Sequence, residues 1–200
     1  MSLGIRFVIS SIALAAAWTL CLADSGQSFH PGPASQYAHQ SAFGVTIGAK
    51  AFDNEELIAE AFGKKANLLK YGVLPVLVVV ENKGKEALDL RGLHVNLVAS
   101  DGRHVASVKP EDIRYLNKGS RRTTVNPLPV PLPSKKNPLT APEILSRAFT
   151  AEFVPVGDSA SGFFYFEARF EPGDRIYLDG MRGARSGQEL MYFEFPLQQE

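Results

Sequence analysis

The sequence predicts an all-β chain, an antiparallel immunoglobulin-like β-sandwich with two or three short helical insertions. Three features predict it. Short apolar segments recur with the two-residue period of strands, as in Val45-Thr46-Ile47-Gly48-Ala49 and Leu93-His94-Val95-Asn96-Leu97. Glycine, proline and aspartate punctuate them, as at Asp101-Gly102 and Pro172-Gly173-Asp174. Helical spacing is confined to brief stretches. Seven or so strands separated by such turns fit a sandwich whose helices cover exposed faces or sheet ends.

The chain has 200 residues, and its first 23 stand apart. Phe7 to Leu22 is an almost unbroken apolar run, Arg6 is the only charge before Asp24, and Cys21 and Ala23 put small residues where signal peptidase reads. Residues 1–23 are therefore expected to be a secretory signal peptide cut before Asp24, with the mature protein periplasmic or extracellular. A retained anchor competes with this, although the run is shorter than the roughly 20 residues that span a bilayer and lacks basic residues on its far side. Lipidation at Cys21 is a third possibility that Trp18-Thr19-Leu20 fits badly. No stable transmembrane span is expected after cleavage. The only cysteine leaves with the signal, so burial alone must hold the core. Lys and Arg together number 21, as do Asp and Glu. A near-neutral chain with no basic stripe argues against nucleic acid as a partner.

Residues 24–42, small and polar without a period, are expected to be a flexible leader. Residues 43–200 follow as a single β-sandwich domain. After the strand at Val45, Asp53-Asn54-Glu55-Glu56 supplies a cap and acidic first turn. Leu57, Ile58, Ala61 and Phe62 give an apolar helix face that Gly63 ends. Val73 to Val80 is an apolar β-forming run without alternation, hence covered on both faces. Pro75 has no amide donor, which sends that part of the strand to an edge, a bulge or the strand's entrance. Asp101-Gly102 reads as a two-residue hairpin turn, which pairs His104 with Ala99 and sets His104 on the face of Leu93, Val95 and Leu97. Thr140, Pro142 and Glu143 start another short helix. Residues 162–171 form an aromatic strand, and Arg175–Met181 with Glu189–Leu197 a closing hairpin.

The segment NPLPVPLPSKKNPLTAP, residues 126–142, holds six prolines. Polyproline ligands space prolines at i and i+3, whereas Pro127, Pro129, Pro131 and Pro133 alternate with Leu128, Val130 and Leu132. Alternating apolar residues want burial, so the segment is expected to be a stiff strap across one domain rather than a linker.

Chemistry-bearing patterns are sparse. His30 and His39 lie in the leader, while His94 and His104 fall on opposite sheet faces under the two-residue turn, so no metal or other cofactor is expected. Met181 and Met191 read as core. The chain lacks a Gly-x-Ser-x-Gly elbow and a glycine-rich phosphate loop, and no catalytic residue is assigned. Asp174, Asp179, Glu189 and Glu194 mix with Arg175, Arg182 and Arg185, a pattern of salt-bridged turns. The strongest binding signal is aromatic. Tyr165, Tyr177 and Tyr192 in the C-terminal strands, with His104, are the candidate binding residues, although such rings also build cores.

The segments GVLPVLVVVENKG, GFFYFEARF and LDGMRGARSGQELMYFEFPL resemble the uncharacterised exported immunoglobulin-like modules of bacteria over roughly Phe43 to Leu197. That resemblance implies a fold and a compartment, not an activity. The leading expectation is a non-catalytic exported module that binds or scaffolds a protein or cell-envelope component. Strand addition beside Pro75 or the last strand is one route. The alternatives are an envelope-polymer hydrolase using acids and His104 in a cleft beneath the strap, and a small-ligand carrier.

Overall fold

The structure, a computed structural model, describes residues 29–64, 66–116 and 137–198. The expected signal peptide and most of the expected proline strap lie outside these residues. The fold is mainly β, an antiparallel sandwich with two short α-helices. Strands β1 (Ala38–Ala42), β2 (Val45–Ala51), β3 (Leu74–Asn82) and β8 (Ser159–Phe166) make the first sheet in the order β1-β2-β3-β8. Strands β11 (Phe193–Pro196), β9 (Arg175–Asp179), β5 (His94–Val98) and β6 (His104–Ala106) make the second in that order. A small third sheet joins β10 (Arg182–Gly183), β4 (Leu88–Asp89) and β7 (Phe153–Val154). Helices α1 (Glu55–Phe62) and α2 (Pro142–Ser146) and four short 3-10 turns complete the described elements.

Strand β3 shows why its sequence lacks alternation. Val76, Val78 and Val80 pack with Ile47, Leu97, Ile176 and Phe193 between the two large sheets. Leu77 and Val79 point the other way, into a second core with Ile58 and Phe62 of α1, Ile113, Ile144, Phe163 and Tyr165. Both faces are buried, and each buried side chain of this size contributes about 1.5–3 kcal/mol. Phe163 anchors the second core, with ring centroids 4.9 Å from Phe52 and 4.7 Å from Phe62. Pro75 lies in an inner strand, at its entrance. The β2–β3 ladder ends at Ala51 and Val76, and the Pro75 carbonyl accepts from Phe52 N at 2.9 Å just where β2 turns away.

Asn54 caps α1 by accepting from Leu57 N at 2.9 Å, and Gly63 ends it at φ 79°. Thr140, expected to cap α2, sits instead in a 3-10 turn (Pro138–Thr140) started by Asn137, which accepts from Leu139 N at 3.0 Å. Of the expected strap only residues 137–142 are described, in this turn and the start of α2.

Residues 29–42, expected to be a leader without order, are a correction. Ala38–Ala42 pair with β2 through a turn whose Phe43 and Gly44 both take positive φ, 56° and 80°. Phe29 packs against Phe52 and Phe163, and Ala34 is fully buried where Gly48 lets its backbone press onto β2. Ala34 N donates to Glu81 Oε1 at 2.8 Å, and that bond, before the Lys83 ammonium, lowers the Glu81 pKa. Tertiary contacts here replace the periodicity that the sequence lacks.

A second correction concerns the Asp101-Gly102 hairpin. The observed pairs are Val98–His104, Leu97–Val105 and Asn96–Ala106, one residue out of the expected register. Gly102 N donates to the Ala99 carbonyl at 2.8 Å and Gly102 has φ 85°, so Ser100, Asp101 and Gly102 form a three-residue loop with a glycine bulge. A slip of one residue moves side chains to the opposite face.

Sheet edges are largely closed, which corrects the two expected sites of strand addition. The edge of β8 is met by Val108 N on the Tyr165 carbonyl at 2.7 Å, Phe149 N on the Phe163 carbonyl at 3.1 Å and Phe163 N on the Arg147 carbonyl at 2.9 Å. The last strand, β11, lies against β1, with Glu194 N donating to Gln40 Oε1 at 2.9 Å.

Candidate functional site

The shifted hairpin register assembles a surface on the outer face of the second sheet. Alternation buries Val95, Leu97, Ile176, Leu178, Phe193 and Phe195. It turns His94, Asn96, His104, Arg175, Tyr177, Asp179 and Glu194 outward. Cross-strand register places Tyr177 between Glu194 and Asn96, and Asp179 beside His94.

Three of the four sequence-predicted binding residues meet here. The Tyr177 and Tyr192 rings stack at 5.4 Å and 23°, and His104 approaches Tyr177 edge-on at 6.0 Å and 70°. His104 is exposed and Tyr192 is 53% exposed. The polar groups around them are short-range. His94 Nδ1 lies 3.3 Å from Asp179 Oδ1, and Arg175 Nε lies 3.3 Å from Glu194 Oε1. The Tyr177 phenol is pushed above its ordinary pKa, first by burial among these side chains and then by the negative charge of the Asp179 carboxylate. It stays a neutral donor throughout the physiological range.

Tyr165 does not join them. It is fully buried on the helix-covered face of the first sheet, where its hydroxyl donates to the Ile144 carbonyl at 2.7 Å. Burial holds its pKa far above the usual phenol range. Met181 is buried as expected, but Met191 is 64% exposed and no core residue. Asp174 is structural, accepting from Ser100 N at 3.1 Å and Glu171 N at 2.9 Å. Arg182 and Glu189 pair at 3.4 Å. The sequence signalled none of the supporting polar groups, since Asn96, Arg175 and Asp179 are ordinary strand residues until the register is known.

Several grooves lie elsewhere, and two of them are the most voluminous. One of about 460 Å³ runs along Lys50, Asp53, Glu56, Glu60 and Phe170. The other, about 500 Å³, lies between Phe62 and Pro142. Neither is lined by His104, which stands on an open sheet face. Among the described residues no three His, Cys, Asp or Glu side chains are grouped to hold a metal. No described helix is long and apolar enough to cross a membrane.

No family model matches the chain, and no curated protein matches it. Among solved structures, one match is a chain described as a lipoprotein, ycdA, of Bacillus subtilis, with 13% identity and a TM-score of 0.39. The alignment covers 80% of this chain and 39% of that one, so this chain spans less than half its length. Another is the secreted protein MPT63 of Mycobacterium tuberculosis, with 13% identity and a TM-score of 0.37 over 84% of this chain and 99% of that chain.

Proposed function

We propose that the protein is an exported, non-catalytic immunoglobulin-like sandwich that binds a cell-envelope component, an envelope protein included, through the outer face of its second sheet. One observation carries this: Tyr192, Tyr177 and His104 stand ring against ring on a solvent-facing surface whose strands already bury their other face. These rings have few rotatable bonds and are held by a rigid sheet, so a partner that covers them gains contact area while little side-chain entropy is lost. The apolar run at Phe7–Leu22 supports export.

Cosedimentation with an isolated envelope fraction tests the reading, comparing the wild type with a Tyr177→Ala/Tyr192→Ala double variant. Retention of the wild type and loss of the double variant is the expected result. Equal retention of both would remove the face from the function, and failure of the wild type to sediment would remove envelope binding altogether.

A further inference from the structure

Resting on that reading of the outer face, the surface chemistry narrows the class of ligand. Asn96 lies between the two ring contacts, paired in register with Tyr177 on one side and Ala106 on the other. Its side chain is half-buried and makes no hydrogen bond with another described residue. An amide without a protein partner, open to solvent beside aromatic rings, offers one donor and one acceptor group to whatever covers it. The Arg175 guanidinium nearby is paired with Glu194, while the Asp179 carboxylate has beside it the His94 imidazole, which is charged only when protonated. Among these residues no cation is left over for a partner, which disfavours a polyanion or an anionic lipid surface. A peptide that binds by strand addition would need a free edge, and on this sheet β11 is tied to Gln40 while β6 has only three residues.

We propose that this face binds a neutral, hydroxyl-rich glycan strand. Its sugar rings lie against Tyr192 and Tyr177, and its hydroxyls pair with the Asn96 amide and the Asp179 carboxylate. Aromatic rings supply flat apolar contact for the C–H faces of a sugar. A hydroxyl is both donor and acceptor, matching an amide that is both and a carboxylate that accepts. The site is an open surface rather than a pocket, so it suits an internal stretch of polymer instead of a chain end.

Calorimetric titration of the purified protein with cellohexaose, maltohexaose and chitohexaose tests the proposal, with polygalacturonate as a charged control. Saturable binding to at least one neutral oligomer is expected, with affinity unchanged between about 0.05 and about 0.5 M salt. Tyr192→Ala should weaken it about tenfold, the scale of one lost ring contact. Asn96→Ala should weaken it too, with both variants retaining the wild-type unfolding temperature. Failure of all three neutral oligomers, or wild-type affinity in both variants, would overturn the proposal. Loss of envelope cosedimentation after protease treatment of that fraction would also overturn it, by assigning the face to a protein. In that last case the face remains the binding surface and only the glycan assignment falls.

Discussion

Tyr165→Phe separates a structural phenol from the binding ones. The substitution keeps the ring, which fills the second core beside Phe62 and Phe163 at centroid distances of 6.1 and 6.5 Å. It deletes only the hydroxyl that donates to the Ile144 carbonyl at 2.7 Å. That carbonyl belongs to the last turn of α2, where backbone acceptors have no intrahelical partner. Stranding it in a buried site costs about 1–2 kcal/mol. For a chain of this size that lowers Tm by roughly 2–8 °C, measured by circular dichroism at neutral pH. Alkaline titration provides a second readout. Burial makes the folded protein hold the Tyr165 proton more tightly than the unfolded chain does, so above about pH 10 the unfolded state binds fewer protons. Wild-type stability should therefore fall as pH rises through that value, by up to about 1.4 kcal/mol per pH unit from this group. The Phe variant lacks this component and should lose stability more gently. An unchanged Tm at neutral pH, or the same alkaline slope in both proteins, would refute the buried hydrogen-bonded phenol.

Asn82→Ala should destabilise by about 2–4 kcal/mol in chemical denaturation. The buried amide donates to the carbonyls of Glu86 at 2.9 Å and Val154 at 3.0 Å and accepts from Gly84 N at 2.9 Å, so its loss orphans three backbone groups. Gly48→Ala places a methyl into the Ala34 backbone and should free residues 29–37, seen as faster amide exchange confined to that segment and β1. Asp89, hydrogen-bonded by the Arg91 side chain and backbone, should titrate at about 2 in carboxyl-detected NMR. Its native contacts are lost as pH falls through that value, and Arg91→Ala should return the midpoint toward the ordinary 3.8.

The parts of the fold that the sequence made legible are those where one force dominates. The run at Val73–Val80 announces a strand buried on both faces because no other state removes so much β-branched surface from water. Helix α1 shows its cap and acidic first turn in the consecutive residues Asn54, Glu55 and Glu56, and its end in Gly63. Turn geometry was harder to read. Asp101-Gly102 specifies a glycine at positive φ, but that glycine serves equally in a two-residue turn and in the bulge of a three-residue loop. The choice between them decides whether His104 faces core or solvent. The β1–β2 turn was hidden because Phe43 occupies a left-handed position where Asn, Asp or Gly is the usual signal. For the candidate site, Tyr177, Tyr192 and His104 could be named from residue type, while their convergence could not, since it depends on that register. Tyr165 was misassigned because both faces of β8 are aromatic, and only the packing of α1 and α2 reveals that its face is covered.

The ladder that joins Leu74–Glu81 to Ser159–Phe166 binds the middle of the chain to a segment near its end. A polypeptide stopped before Ser159 would carry the most water-averse strand of the molecule with one flank bare. Truncation from the carboxyl end should thus give sticky, insoluble fragments rather than a smaller working domain. Completion of the sandwich must wait until nearly all of the chain is available.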